Sequence, residues 1–108
     1  MIDSIEISIT SLNNKMDILI NVKEEKIITP FKEKSISKDE IQKLVRIIRS
    51  WRGEYINTSI VDAERFKIII SFNGQKEVIT GSGTYPDNYL EFKNFVGEYY
   101  EWLLSKNT

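Results

Sequence analysis

Two short stretches of the chain alternate aliphatic and polar residues with a period of two: Ile5, Ile7 and Ile9, then Met16, Ile18, Ile20 and Val22. That period places every aliphatic side chain on one face of an extended strand, and a helix cannot satisfy it. Asn13-Asn14 lies between the stretches, and asparagine tolerates the positive φ of a tight turn. The pattern predicts a hairpin with Asn13-Asn14 as its loop, which sets residue 9 opposite 18, 7 opposite 20 and 5 opposite 22. A second hairpin is predicted from residues 66–72 and 75–80 around Asn73-Gly74, the pair that type I′ turns favour. It sets Ile68 opposite Ile79 and Ile69 opposite Val78, so both of its faces carry apolar side chains.

The remaining segments read less regularly. Ile27 and Ile28 extend the second strand until Pro30, which has no N–H to donate, ends it. Ser37 followed by Glu40 forms a capping box, and Ile41, Leu44, Val45, Ile48 and Trp51 recur at helical spacing. A helix is predicted over 38–51, with Gly53 as its C-terminal cap. A strand over 55–61, a turn at Asp62-Ala63-Glu64 and a strand break at Gly81-Ser82-Gly83 follow. Pro86 then opens a last helix running to about residue 104. The expected fold is a single α+β domain over 1–108, in the order ββαβββα, with a mostly antiparallel sheet and two helices packed on it. Eighteen isoleucines, five Phe, five Tyr and two Trp supply its core.

Composition narrows the chemistry. With no cysteine there is no disulfide, thiol nucleophile or zinc knuckle, and with no histidine there is no imidazole base or ligand. Glu24-Glu25 and Asp39-Glu40 are adjacent pairs whose side chains diverge, and Asp62 and Glu64 flank a turn. None makes the buried, unequal carboxylate pair that acid–base catalysis needs. No calcium-loop spacing occurs. The chain is expected to be non-enzymatic, with no metal and no cofactor. Acids at 3 and 6 interrupt any secretory signal and no apolar run is long enough to span a bilayer, so a cytoplasmic location and no membrane partner are expected.

The net charge of −1 conceals an uneven distribution: residues 1–22 carry −2, 23–52 carry +4 and 53–108 carry −3. In the last helix Phe92, Phe95, Val96, Tyr99 and Leu103 share the core stripe. Opposite them Asp87, Glu91, Asn94, Glu98 and Glu101 line up at spacings of 4, 3, 4 and 3, with Trp102 and Tyr85 near the edges. Lys93 and Lys106 fall outside this acidic ridge, so nothing within it neutralises the charge. It is either a solvated face or an electrostatic contact for a basic partner. The first helix has the opposite sign, with Lys43, Arg46 and Arg49 outward and Lys38 and Arg52 at its ends. That face is a solvated surface, a phosphate contact, or a match for the ridge of a second copy. The Gly81–Thr84 loop precedes a helix N-terminus, but Asp87 already occupies the positive end of the helix dipole, so the loop reads as turn and cap chemistry.

The segment Thr80-Gly81-Ser82-Gly83-Thr84-Tyr85-Pro86-Asp87-Asn88-Tyr89-Leu90-Glu91-Phe92, preceded by a hairpin, resembles the closing segment of small bacterial and phage α+β proteins. Some proteins of that size and style are immunity proteins or phage-encoded inhibitors of bacterial defence. The resemblance implies no particular activity and no binding residue; the acidic ridge with its aromatics, the lack of catalytic residue types and the small size lead us to expect a small inhibitor of the immunity or anti-CRISPR-like kind. On this reading Asp87, Glu91, Asn94, Glu98 and Glu101 meet the phosphate-binding surface of a basic nuclease or CRISPR-type effector, and Trp102 and Tyr85 are apolar anchors. Direct nucleic-acid binding is not expected. The alternatives are a small-ligand or nucleotide module with converging Arg46, Arg49 or Arg52, and a homodimer formed through a sheet edge or the second apolar face of the 66–80 hairpin.

Overall fold

The alternating isoleucines assemble a seven-stranded sheet in a computed structural model that describes residues 2–12 and 14–105, with side chains as far as residue 100. The strands are β1 (Ile2–Thr10), β2 (Lys15–Asn21), β3 (Lys26–Ile28), β4 (Glu33–Ser35), β5 (Glu54–Ile56), β6 (Arg65–Phe72) and β7 (Gln75–Ser82). Two helices, α1 (Lys38–Ile48) and α2 (Tyr89–Ser105), complete an α+β fold. Across the sheet the order is β4-β3-β2-β1-β6-β7-β5. A four-strand meander grows outward from β1, α1 crosses over, and the β6–β7 hairpin fills the space between β1 and the far edge strand β5. All neighbours are antiparallel except β5 and β7.

The two halves of the chain meet along β1 and β6, where Ile5 faces Ile70, Ile7 faces Ile68 and Ile9 faces Phe66. These residues, with Ile18, Ile20, Ile27 and Ile79, form the buried face of the sheet. Ile41, Leu44, Ile47 and Ile48 of α1 and Tyr89, Phe92, Phe95 and Val96 of α2 cover that face. Among the described elements both helices join this one core, and the other face of the sheet stays open. There the same alternation places Leu19, Ile69 and Val78 beside Glu6 and Lys67.

Several expectations require correction. The order is ββββαβββα, because β3 and β4 are separate three-residue strands and not an extension of β2. Glu25 turns the chain at φ 52°, and Pro30 falls between β3 and β4, consistent with its missing donor. The first hairpin pairs Ile5 with Ile20, Ile7 with Ile18 and Ile9 with Met16, two residues away from the expected register. Ser11 and Asn14 exchange backbone hydrogen bonds of 2.8 and 3.3 Å, so Asn14 flanks the loop; Asn13 lies outside the described residues. A slip of two keeps every side chain on its face, so the hydrophobic pattern alone does not distinguish the two registers. The second hairpin has the expected register, with Asn73 and Gly74 at φ 50° and 75°.

Strand 55–61 is only Glu54–Ile56, paired parallel to β7. The break expected at Gly81 is absent: β7 continues to Ser82, and Gly81 leaves room for the Phe66 ring, which an added Cβ would overlap. Ser37 accepts from the Glu40 N–H, as the capping box requires, but α1 stops at Ile48. Gly53 takes φ +65° beyond a turn in which the Trp51 N–H donates to the Ile48 carbonyl, and is not the direct helix cap. Pro86 likewise precedes α2 by a turn: Tyr89 N–H donates to its carbonyl, and the helix starts at Tyr89.

Candidate acidic face of the C-terminal helix

The position of α2 is set by aromatic packing and one asparagine. Trp51, 1% exposed, lies 5.1 Å from the Phe92 ring and 5.5 Å from the Phe66 ring, centroid to centroid. Its indole N–H donates to Asn88 Oδ1 at 2.7 Å, and Asn88 Nδ2 donates to the Ile47 carbonyl at 2.7 Å. Asn88 thus joins the last turn of α1 to the first of α2, while its own carbonyl accepts from the Phe92 N–H. A carbonyl orphaned at the end of α1 gains a donor, and a buried indole gains an acceptor.

Glu64 makes a second anchor. Its carboxylate accepts from Tyr89 Oη at 2.6 Å and from Lys93 Nζ at 2.9 Å, while its backbone carbonyl accepts from Tyr85 Oη at 2.7 Å. Burial, followed by the adjacent Glu64 carboxylate, pushes the Tyr89 hydroxyl well above its usual value, so it stays a protonated donor. Farther along α2, Tyr99 donates to Glu40 at 3.1 Å; burial and that carboxylate push its pKa up to about 12.

These contacts turn the predicted ridge outward. Asp87, Glu91, Asn94 and Glu98 are all exposed, and among the described residues none of the three acids enters an ion pair. Lys93, the nearest helical cation in sequence, is held by Glu64. Asp87 precedes the helix and does not belong to it, so the helical part of the ridge begins at Glu91. Glu101 and Trp102 continue α2, but their side chains lie outside the described residues, as does that of Leu103.

Tyr85 has a different setting from that expected of an anchor. It stacks on Tyr89 with centroids 4.5 Å apart and donates to the Glu64 carbonyl, which makes it part of the support beneath the ridge. The apolar residue that faces water here is Leu90, 69% exposed, one position before Glu91. Helical spacing alone marks it, because it lies about 40° from Asn94 on the ridge side of α2. An exposed leucine is unremarkable alone, yet this one directly precedes Glu91 on a helix whose outer face also carries Glu98.

The arginines of α1 do not converge as one set. Arg49 and Arg52 line a hollow of about 270 Å³ with Val45, Ile48, Phe72 and Glu77, whereas Arg46 is outside it. Arg52 is already engaged, donating to the Arg49 and Trp51 carbonyls at 2.7 and 2.6 Å and lying 3.8 Å from Glu77. No group of three or more carboxylates among the described residues could hold a metal ion, and no described helix is long and apolar enough to cross a membrane. No family model and no curated protein sequence matches the chain.

Proposed function

We propose that the chain is a non-enzymatic binding protein that docks the outer face of α2 on a basic protein surface. The observation that carries this reading is the set of exposed acids Asp87, Glu91 and Glu98, none of them ion-paired among the described residues, together with the exposed Leu90. Two half-buried anchors, Asn88 and Glu64, hold that face in place before any partner arrives, which reduces the ordering cost of association. Leu90 supplies the apolar contact and the acids supply steering and register. A surface that binds phosphates has the complementary charge, so a nucleic-acid-handling enzyme such as a nuclease or CRISPR-type effector is the partner class this face suits. Covering its phosphate-binding surface would inhibit it.

The test compares wild-type chain with Glu91→Lys/Glu98→Lys as bait in source-cell extract. Both positions are exposed, so the variant should fold normally. Wild type is expected to retain a basic nucleic-acid-handling protein that the variant loses, and the purified partner's nuclease activity should fall when wild type is added. A partner held equally by both baits, or none held by wild type, overturns the reading.

A further inference from the structure

The open face of the sheet carries a second constellation, on the side away from α2. At one end, β6 presents Arg65 and Lys67 between two strands of hydroxyls. Thr10, Arg65 and Ser82 lie directly opposite one another across β1, β6 and β7, and Ser8, Lys67 and Thr80 form the next such row. Directly paired residues stand about 5 Å apart and successive rows about 7 Å apart. The six side chains therefore form a compact grid of hydrogen-bond donors. Both cations are exposed, neither joins an ion pair among the described residues, and none of the four hydroxyls has a side-chain hydrogen bond there. The grid lines a hollow of about 310 Å³.

Ser8 and Lys67 also line a second hollow, of about 400 Å³, whose apolar walls are Leu19, Ile28, Pro30 and Ile69. A cationic, hydroxyl-rich pocket thus opens directly into an apolar trough. The nearby acids define a direction. Asp17, next to Ser8, also lines this hollow but lies 3.8 Å from the Lys15 ammonium, whereas exposed Glu6 sits between Leu19 and Ile69 in the trough row. Glu54 borders the grid across Thr80. An anionic group is attracted at the Arg65–Lys67 end and repelled at the Glu6 end.

We infer that this face binds a phosphate monoester with an apolar body, its phosphate on Arg65 and Lys67 and its apolar part along Leu19, Ile28 and Ile69. Charge-assisted bonds from guanidinium and ammonium hold the head, hydroxyls of β1 and β7 complete its shell, and burial of apolar surface holds the tail. No aromatic side chain stands in these rows, so base stacking of the kind single-stranded nucleic acids require has no platform.

The probe is octyl phosphate below its micelle-forming concentration, followed by calorimetry and amide NMR of the full chain. Octyl glucoside and inorganic phosphate serve as the tail-only and head-only comparisons. Saturable octyl phosphate binding is expected, with shifts at Arg65 and Lys67 and their β1 and β7 neighbours for the head and at Leu19, Ile28 and Ile69 for the tail, and with each comparison compound at least about tenfold weaker. Arg65→Gln/Lys67→Gln should fold normally and lose at least about tenfold in affinity, while Glu54→Gln should bind more tightly. Absence of saturable binding, equal binding of octyl glucoside, or unchanged affinity in the double variant overturns the inference. Glu91→Lys/Glu98→Lys should bind octyl phosphate as wild type does, which separates this site from the α2 face.

Discussion

Replacing Asn88 by alanine tests how the α2 face is held. Among the described residues no buried side-chain polar atom lacks a hydrogen-bond partner. Asn88→Ala would create the first such defect, because the Trp51 indole N–H loses its acceptor in a side chain that is 1% exposed. An unsatisfied buried donor costs about 1–3 kcal/mol, and the lost bond to the Ile47 carbonyl adds about 1 kcal/mol. The sum, about 2–4 kcal/mol, is a large share of the roughly 5–15 kcal/mol by which a domain of this size is stable. In melting temperature it corresponds to a fall of about 10–20 °C. Urea unfolding followed by tryptophan fluorescence should show a lower midpoint at an unchanged slope. Asn88→Asp is the informative partner variant: its carboxylate still accepts from Trp51 but cannot donate to Ile47, so it should recover about half of the loss. A loss below about 0.5 kcal/mol for alanine, or equal losses for alanine and aspartate, would refute the role assigned to this side chain.

Other consequences are direct. Gly81→Ala pushes a Cβ into the Phe66 ring within the aromatic core and should cost about 1–3 kcal/mol, read as a lower urea midpoint. Tyr99 is protonated more firmly in the folded chain than in the unfolded one, so its contribution is complete below pH 10 and is lost as pH rises towards about 12. Phenolate absorbance should show a tyrosine titrating near pH 12, and Glu40→Gln should lower that value; an unchanged titration removes the Glu40 contact from the account. Leu90→Ser should leave thermal stability within about 0.5 kcal/mol of wild type, because the side chain is exposed, yet weaken partner binding several-fold. Equal binding by that variant would take Leu90 out of the interface.

What the sequence made legible follows from how much chain each signal spans. The isoleucine alternation over β1 and β2 and the Asn73-Gly74 turn operate over many residues, and both hairpins formed. The register of the first did not follow, because registers two apart bury the same faces and loop chemistry must choose. β3, β4 and β5 have three residues each, too few to display a period, and depend on the neighbours against which they pair. At the candidate face, helical spacing revealed the acids because it is a property of one element. The inward role of Tyr85 depends on Glu64 and Tyr89 from elsewhere, and the Asn88 bridge joins residues about forty positions apart; neither leaves a local pattern. Leu90 lies within the helical phase of the ridge, but a single apolar residue among charges makes no periodic signal of its own. The open sheet face was implied by Ile69 and Val78, yet only the pairing of β6 with β1 shows Arg65 and Lys67 between rows of hydroxyls.

Steering of a basic partner by the acids of the α2 face would show in the association rate with the captured partner as ionic strength is varied. The Debye length is about 30 Å at 0.01 M salt and about 8 Å at 0.15 M, so steering by exposed charges should fade across that range. For wild type, the rate should fall at least about tenfold. Asp87→Asn/Glu91→Gln/Glu98→Gln should start slower and stay nearly flat. If both proteins associate at the same rate with the same salt slope, the acidic face does not recognise the partner.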